Sequence, residues 1–226
     1  PTVEKRVLIG QIDRIDTVKK DASVYIKIID YKTGNKDFKL SEIYNGLSLQ
    51  LAIYLTAATE GSEALLGEKA LPAGMFYFRL ADKTADANTI KSEEDLLKQF
   101  KMKGLLLKDT DMIRAMDRGI SGYSSILPAY VKQDGTISES LGSYATYEQF
   151  LSLSKHVRRV AGDLGREILR GNTAISPCKT GKGLPCEYCR FHSVCGFNAE
   201  KDPYRISHPL KDDVFWSLLE KSGIDS

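Results

Sequence analysis

The spacing of apolar residues in the first part of the chain predicts two strands joined by a hairpin. Apolar side chains recur at nearly alternate positions from Val7 to Ile15 and again from Val24 to Ile29. The polar residues 19–21 separate these two segments, which is typical of a hairpin loop. We therefore expect both strands to place an apolar face against one core.

The spacing then changes to three and four residues, which predicts helices. Between Leu40 and Ala58 the apolar residues follow the pattern of an amphipathic helix, with Ser41 as its N-cap and Gly61 as its end. The other predicted elements are a strand at 75–80, a loop at 82–92, short helices at 93–100 and 109–117, a small hairpin around Asp134-Gly135, a long helix at 146–170 and a terminal helix anchored by Trp216. This order predicts an α/β fold, with a mixed sheet core flanked by helices.

The composition is that of an ordinary globular protein. The chain has 226 residues, 42% hydrophobic and 27% charged, enough to bury a sizeable core. Its 32 Lys and Arg against 30 Asp and Glu leave a net charge of +2, so any contact with DNA would need a local patch. No apolar run approaches the roughly 20 residues that cross a bilayer, and no leader is recognisable, so we expect a cytoplasmic protein without membrane association. Because the sequence begins at Pro1, we treat residues 1–226 as a single domain from a longer chain.

Charged residues lie where the two predicted strands should continue their apolar faces. Alternation along the second strand places Asp30 and Lys32 on the same face as the apolar residues at 24, 26 and 28. In the first strand, Asp13 shares its face with Ile15. If both apolar faces meet one core, Asp13, Asp30 and Lys32 converge at its edge.

Two explanations fit these charges, because a charge that faces a core is costly unless it is paired or binds a metal. The first is a buried ion pair between an aspartate and Lys32. The second is a divalent metal site, since two hard carboxylates suit Mg²⁺ or Mn²⁺ and an adjacent lysine can orient water or stabilise a charged transition state. Spacing alone leaves both open.

Three short motifs in this part of the chain resemble those of a known family. They are Gly10-x-Ile-Asp13, Ile29-Asp30-Tyr-Lys32-Thr-Gly34 and Gln50-x-x-x-Tyr54. In this order and spacing they are similar to the motifs of the RecB-like branch of the PD-(D/E)XK nuclease superfamily. The resemblance implies a restriction-endonuclease-like mixed sheet core flanked by helices.

The same resemblance implies a role for each motif residue. Asp13 and Asp30 would bind the metal, with the backbone carbonyl of Tyr31 as a further ligand, and Lys32 would be the catalytic lysine. Gln50 and Tyr54, one helical turn apart and so on one face of the predicted helix, would contact DNA or support the active site.

Four cysteines lie close together near the C-terminus, at positions 178, 186, 189 and 195. Disulfides usually join distant parts of a chain, so this clustering in a segment at 178–198 indicates a metal site. On residue types alone zinc is the first choice, with Cys178 or His192 completing a set of four ligands, and a [4Fe-4S] cluster is the second.

The family resemblance reverses that order. The spacing Cys186-x2-Cys189-x5-Cys195 is similar to that of the iron-sulfur members of the RecB-like branch, which implies a [4Fe-4S] cluster with a fourth cysteine upstream of the nuclease motifs. No cysteine precedes Cys178 in this sequence. Either the cluster is absent or incomplete in this stretch of chain, which would then hold the catalytic residues yet be inactive or free of metal, or Cys178 substitutes.

The resemblance implies a metal-dependent DNA nuclease domain. It would act as an exonuclease on linear duplex ends and single strands during double-strand-break processing and recombinational repair, within a helicase-nuclease complex. The alternative is a noncatalytic DNA-binding or interaction module with a structural zinc or iron-sulfur site, in which Asp13, Asp30 and Lys32 form only an ion-pair cluster.

Overall fold

The computed structural model describes residues 7–80, 100–181 and 183–222. Cα packing divides the chain into two compact units, one combining Pro1–Phe38 with Leu49–Lys155 and the other Lys39–Ser48 with His156–Ser226. The expectation of one domain over residues 1–226 stays a prediction. No helix in the described part of the chain is long and apolar enough to cross a membrane.

The described residues form strands and helices that differ widely in length. The strands are β1 (Arg14–Lys20), β2 (Ser23–Lys32), β3 (Ala70–Arg79), β4 (Lys103–Leu107), β5 (Gly122–Tyr123), β6 (Tyr130–Val131), β7 (Tyr144–Ala145), β8 (Cys178–Lys179) and β9 (Arg205–Ile206). The helices are α1 (Leu40–Tyr44), α2 (Gln50–Glu60), α3 (Ser62–Leu66), α4 (Thr110–Met116), α5 (Tyr147–Leu169), α6 (His192–Cys195) and α7 (Asp212–Ser222). Two 3₁₀ turns span Glu139–Leu141 and Pro185–Tyr188.

A five-stranded mixed sheet is the centre of the first unit. Its strand order is β1-β2-β3-β4-β7. The pairs β1/β2 and β3/β4 are antiparallel, whereas β2/β3 and β4/β7 are parallel. Parallel neighbours need a long connection, which the helical stretch between β2 and β3 provides. The α/β class predicted from the sequence is confirmed.

Both faces of β2 are covered near its carboxyl end. On one face Ile26 and Ile28 are fully buried, and α2 packs over β2 and β3. On the other face Ile29 joins a buried cluster with Phe76 of β3 and Leu106 of β4. Any polar side chain at this end of β2 is therefore held in a largely apolar surrounding.

The hairpin is confirmed, but its first strand begins later than the sequence pattern predicts. A two-residue turn at Asp21, where φ is +54°, aligns Lys20 with Ser23 and Arg14 with Ile29. The prediction that residues from Val7 onward form the strand and face the core is wrong, since Val7 is 73% exposed and not in a strand. Pairing stops at Arg14 because the side chain of Asp13 accepts the N–H of Tyr31, which a longer ladder would need.

The predicted helix from Leu40 to Ala58 is two helices. Positive φ angles at Gly46 (+75°) and Ser48 (+48°) lie outside the helical region and separate α1 from α2. Ser41 is not the N-cap, because α1 already begins at Leu40 after an extended Lys39. The predicted end at Gly61 is confirmed, since Gly61 is the C-cap of α2.

Most other predicted elements are found, with shifted ends. The strand at 75–80 begins earlier, at Ala70, and its pairing with β2 shifts register after Ile26. The helix at 109–117 is α4, capped by Asp109, the long helix is α5, and Tyr130–Ser138 pairs backbone groups around Gly135. The sequence pattern missed β4. The loop at 82–92 and residues 93–99 of a predicted helix lie outside the described residues.

The second unit is built around stacked aromatic rings. The ring of Tyr44 lies parallel to that of His156 at 5.4 Å and edge-on to that of Phe215 at 6.3 Å. Burial, together with the charge of Arg159, lowers the pKa of His156. Trp216 is buried in α7 against Phe215, which confirms its predicted anchoring role.

We expect Gly104→Ala to destabilise the protein. Gly104 lies in β4 opposite Phe76, and an added Cβ would overlap the backbone of Met75 and come within 2.8 Å of the Phe76 Cα. Because backbone cannot move aside cheaply, the free energy of unfolding should fall by about 2 kcal/mol or more. Urea unfolding measures this change.

The matched control is Gly119→Ala, where nothing lies within 4 Å of the added Cβ. Its free energy of unfolding should stay within about 0.5 kcal/mol of the wild-type value. Equal effects of the two substitutions would contradict the β3/β4 packing described above.

Candidate active site

The candidate site lies at the carboxyl end of β2, where a buried carboxylate continues an apolar row. Asp30 is only 2% exposed. Arg14 pairs with Ile29 as the last pair of the hairpin ladder, so Asp13 falls one step beyond it, at the position that the same register would place opposite Asp30. Asp13 itself is exposed, and its Oδ2 accepts a 2.9 Å hydrogen bond from the N–H of Tyr31. The hairpin register thus brings together the two carboxylates that sequence reasoning paired through apolar faces.

Lys32 connects the buried carboxylate to helix α2. Its Nζ forms an ion pair with Oδ2 of Asp30 and donates a 2.9 Å hydrogen bond to Oε1 of Gln50. The side chain is 30% exposed, so the ammonium group lies at the boundary between the core and solvent. Asp30 and Lys32 of the predicted cluster are therefore in contact, with the carboxylate buried and the ammonium group reachable from water.

The third motif supports the lysine from α2. Gln50 is the first residue of α2, and its Nε2 donates a 3.2 Å hydrogen bond to the hydroxyl of Tyr54 one turn later. The glycine of the first motif accommodates the same ring, because a Cβ on Gly10 would lie 2.9 Å from Cε1 of Tyr54. The three motifs therefore contact one another, although only the first and second carry charge.

The two carboxylates are chemically suited to a hard divalent cation. Oδ2 of Asp30 is buried, and among the described residues its one polar neighbour is the ion-paired ammonium group of Lys32. An oxygen with that single partner retains lone pairs for a metal, and Asp13 supplies a second carboxylate across the hairpin. The described residues contain no group of three or more His, Cys, Asp or Glu side chains arranged around a metal, so the further ligands that this part of the chain could offer are backbone oxygens, with water completing the set. The carbonyl of Tyr31 as such a ligand stays a prediction.

Neighbouring Asp16 shows why proximity alone does not make a ligand. Its Oδ1 accepts from Arg14 Nε at 2.7 Å and its Oδ2 pairs with Lys27 Nζ at 3.0 Å. Partial burial opposes ionisation of this carboxyl, but the hydrogen bonds from Arg14 and Lys27 outweigh it and hold its pKa below the usual value. Each oxygen of Asp16 is thus engaged by its own cation, whereas within residues 7–80, 100–181 and 183–222 Asp30 forms an ion pair with Lys32 alone.

Sequence reasoning missed one aromatic residue of the site. Tyr77 of β3 lies opposite Asp30 in the parallel ladder and is buried. The Nζ atoms of Lys32 and Lys36 lie 5.6 and 5.9 Å from the centre of its ring. The only sequence signal is its place in the strand at 75–80, which does not reveal the register that sets it beside Asp30.

The four cysteines belong to the second unit. Cys178 is buried in β8, Cys186 lies in the second 3₁₀ turn, Cys189 follows it and Cys195 ends α6. All four are free thiols. The described residues do not gather them into a metal-holding group, so neither zinc nor an iron-sulfur cluster is assigned from their geometry.

Fold, motifs and sequence comparison agree on the class of protein. A model of the PD-(D/E)XK nuclease superfamily matches residues 2–196, and the chain belongs to this superfamily. It is similar over nearly its whole length to the AddB component of bacterial ATP-dependent helicase/deoxyribonucleases. The identity is 42% over 222 residues with the Acetivibrio thermocellus protein, 43% over 221 residues with that of Clostridium acetobutylicum and 43% over 220 residues with that of Clostridium botulinum strain Hall.

These relatives are much longer proteins. The matches cover 96%, 95% and 95% of this chain but 19% of each relative. The nuclease-family resemblance inferred from the three motifs is therefore confirmed. The individual roles of the motif residues stay predictions.

We expect Gln50→Leu to slow cleavage while leaving the fold intact. The substitution removes the acceptor that holds Lys32 and the donor to Tyr54. A misplaced lysine should lower kcat about tenfold or more, because small shifts of a catalytic group cost orders of magnitude in rate. Single-turnover cleavage of labelled DNA measures the effect.

Gln133→Leu, in an exposed loop, is the matched control and should cleave like the wild type. A wild-type rate for Gln50→Leu would contradict the supporting role of α2. A collapse of its unfolding midpoint would mean that Gln50 serves stability instead.

Proposed function

We propose that this chain is a metal-dependent deoxyribonuclease domain that hydrolyses phosphodiester bonds at Asp13, Asp30 and Lys32. The observation that carries the proposal is the buried carboxylate of Asp30, which has an ion-paired lysine beside it and a second carboxylate across the hairpin. A purely structural ion pair needs only Asp30 and Lys32, and it gives the carboxylate of Asp13 no role beyond accepting the N–H of Tyr31.

Each residue has a distinct task in this proposal. Asp13, Asp30 and the carbonyl of Tyr31 would hold Mg²⁺ or Mn²⁺, which when bound supplies Lewis-acid activation of water and neutralises charge on the phosphate. Lys32, fixed between Asp30 and Gln50, would orient the attacking water and stabilise the negative charge that develops on the phosphate. Gln50 would position Lys32, and Tyr54 would position Gln50.

The biological setting follows from the relatives. Their name describes one component of an ATP-dependent helicase and deoxyribonuclease. By analogy, the domain would act as an exonuclease on linear duplex ends and single strands, cutting the 5′-ended strand while an AddA-like subunit drives the helicase. This complex would process double-strand breaks for recombinational repair in the cytoplasm.

The iron-sulfur proposal rests on spacing and on accessibility. Cys186, Cys189 and Cys195 are free thiols on successive turns. The N–H of Cys189 donates a 3.2 Å hydrogen bond to the carbonyl of Cys186. We expect them to bind a [4Fe-4S] cluster, with the fourth cysteine contributed by a residue upstream of Pro1. Cys178 is buried in β8 and would not take part.

The nuclease proposal predicts that Lys32→Ala abolishes cleavage of one strand. The test uses the full-length protein with its partner, end-labelled linear duplex, Mg²⁺ and ATP. Because Lys32 would act on the developing charge, the rate of that cleavage should fall by about 10²–10³-fold, with ATP-driven unwinding retained.

The strand whose cleavage disappears identifies the polarity, and the exposed Lys132→Ala is the control for loss of a lysine. Unchanged cleavage of both strands by Lys32→Ala would make the cluster structural. The noncatalytic DNA-binding module would then be the better proposal.

The cluster proposal predicts different effects for two cysteine substitutions. In anaerobically purified full-length protein, Cys186→Ser should abolish iron, acid-labile sulfide and visible absorbance, because a [4Fe-4S] cluster needs four thiolates. Cys178→Ser should retain all three. Loss of the cluster in Cys178→Ser would make Cys178 a ligand, and stoichiometric zinc in the wild type would replace the iron-sulfur assignment.

A further inference from the structure

A row of aromatic side chains lies on the face of the sheet opposite the candidate catalytic residues. We call the rings of Tyr31, Phe78, Phe100 and Tyr123, with the ammonium group of Lys101, the aromatic strip. We infer that the aromatic strip binds single-stranded DNA by stacking its bases on the exposed rings. The inference rests on the proposed nuclease function, since it identifies where that site's substrate would lie.

Ring and cation contacts make the strip continuous. Tyr31 and Phe78, opposite one another in the β2/β3 ladder, meet edge-on at 5.8 Å, and Phe78 stacks on Phe100 at 6.4 Å. Lys101 follows Phe100 in the chain, and its Nζ lies 5.7 Å from the centre of the Tyr123 ring. The strip therefore extends from the strand that carries the catalytic motif to the β5/β6 hairpin.

The outer rings are open to solvent. Phe100 is 40% exposed and Tyr123 is 64% exposed, whereas Tyr31 and Phe78 are partly buried against the apolar cluster below them. The edge of Tyr130 braces Tyr123 at 4.7 Å, so this ring is supported although it faces water. An aromatic ring that is exposed but held by a neighbouring ring is suited to stacking, because binding a base restricts the motion of that ring little further.

Positive charge accompanies the rings at both ends. At one end the ammonium group of Lys101 lies over the Tyr123 ring, and no carboxylate among the described residues pairs with it. At the other end, Nη1 of Arg14 lies 3.5 Å from the Tyr31 hydroxyl, and the two cations Arg14 and Lys27 share the one carboxylate of Asp16, which leaves a net positive charge. Aromatic rings interleaved with cations complement the alternation of bases and phosphates in a nucleic acid strand.

The form of the rings selects the single strand. Bases in a duplex are stacked on each other, so their faces cannot reach a protein ring without unstacking, whereas an unpaired strand presents every base face. An acidic protein partner would contact the cations and an apolar one the rings, but neither would require cations and rings to alternate. Single-stranded DNA uses both.

The strip also lies next to the cutting site. Tyr31 stands between Asp30 and Lys32 in β2, so its side chain is on the opposite face while its backbone is shared with the catalytic motif. A strand stacked on Tyr123 and Phe100 reaches the carboxylates by passing the carboxyl end of β2. The strip would thus hold the strand whose phosphodiester is cut.

The first test is photocross-linking of the full-length protein to oligothymidylate that contains 5-iodouracil, in EDTA so that no cleavage is needed. Mass spectrometry should locate cross-links at Phe100 or Tyr123, in the wild type and equally in Lys32→Ala. Cross-links confined to residues outside the strip would overturn the inference. Because this experiment needs no catalysis, it separates failure of the strip from failure of the proposed nuclease.

The second test measures cleavage of the same oligonucleotide without iodouracil, in Mg²⁺. Tyr123→Ala should raise KM about tenfold with kcat unchanged, since stacking contributes about 1–3 kcal/mol per base. Tyr123→Phe should restore KM, and Tyr147→Ala, which removes another exposed ring at the start of α5, is the control. Lys101→Gln should reduce the slope of log KM against log salt by about 0.7, whereas Tyr123→Ala should not.

An unchanged KM for both Tyr123→Ala and Phe100→Leu would overturn the inference. A second contradicting outcome is that Tyr123→Ala no longer associates with the helicase partner while its cross-links to the oligonucleotide stay unchanged. That outcome would make the strip a protein contact. Phe100 and Tyr123 are exposed and Lys101 is half-buried, so these variants should fold.

Discussion

The site depends on holding one ionised carboxylate inside an apolar layer. Asp30 is covered by α2 on its own face of the sheet, with the Ile29 cluster behind it on the other, and in the described part of the chain Lys32 alone compensates its charge. A charge in such a place is costly unless it is paired. Three contacts follow from that carboxylate in sequence. Lys32 pairs with Asp30, Gln50 accepts a hydrogen bond from Lys32, and Tyr54 accepts one from Gln50.

Hairpin register is the second constraint. The turn at Asp21 aligns Arg14 with Ile29, and Asp13 is thereby carried to the position opposite Asp30. The hydrogen bond from Tyr31 to Asp13 ends the ladder and fixes the carboxylate at its edge. One local feature thus terminates a strand and positions a candidate ligand.

The sequence predicted the features that depend on local pattern and short motifs. The hairpin, α4, α5 and α7 follow from periodicity, and the three motifs indicated residues that the fold does bring together. The apolar residues from Val7 onward were misplaced because periodicity cannot sense where a ladder ends. The break between α1 and α2 was missed because it depends on positive φ at Gly46 and Ser48, and β4 because its strand is short and contains a glycine.

The aromatic strip could not be found in the sequence, because its rings come from four separate segments. Only the β2/β3 register and the β5/β6 hairpin bring Tyr31, Phe78 and Tyr123 to one face. Pattern methods detect residues that are periodic along a chain. They do not detect surfaces assembled across strands.

The charges of the site have a consequence for how a cation and DNA affect each other's binding. Asp13, Asp30 and Lys32 carry a formal sum of −1, which repels a phosphodiester of the same sign. A divalent cation would change that sum to +1 and turn repulsion into attraction. Cation and DNA would therefore each raise the affinity of the domain for the other by the same factor, as thermodynamic linkage requires.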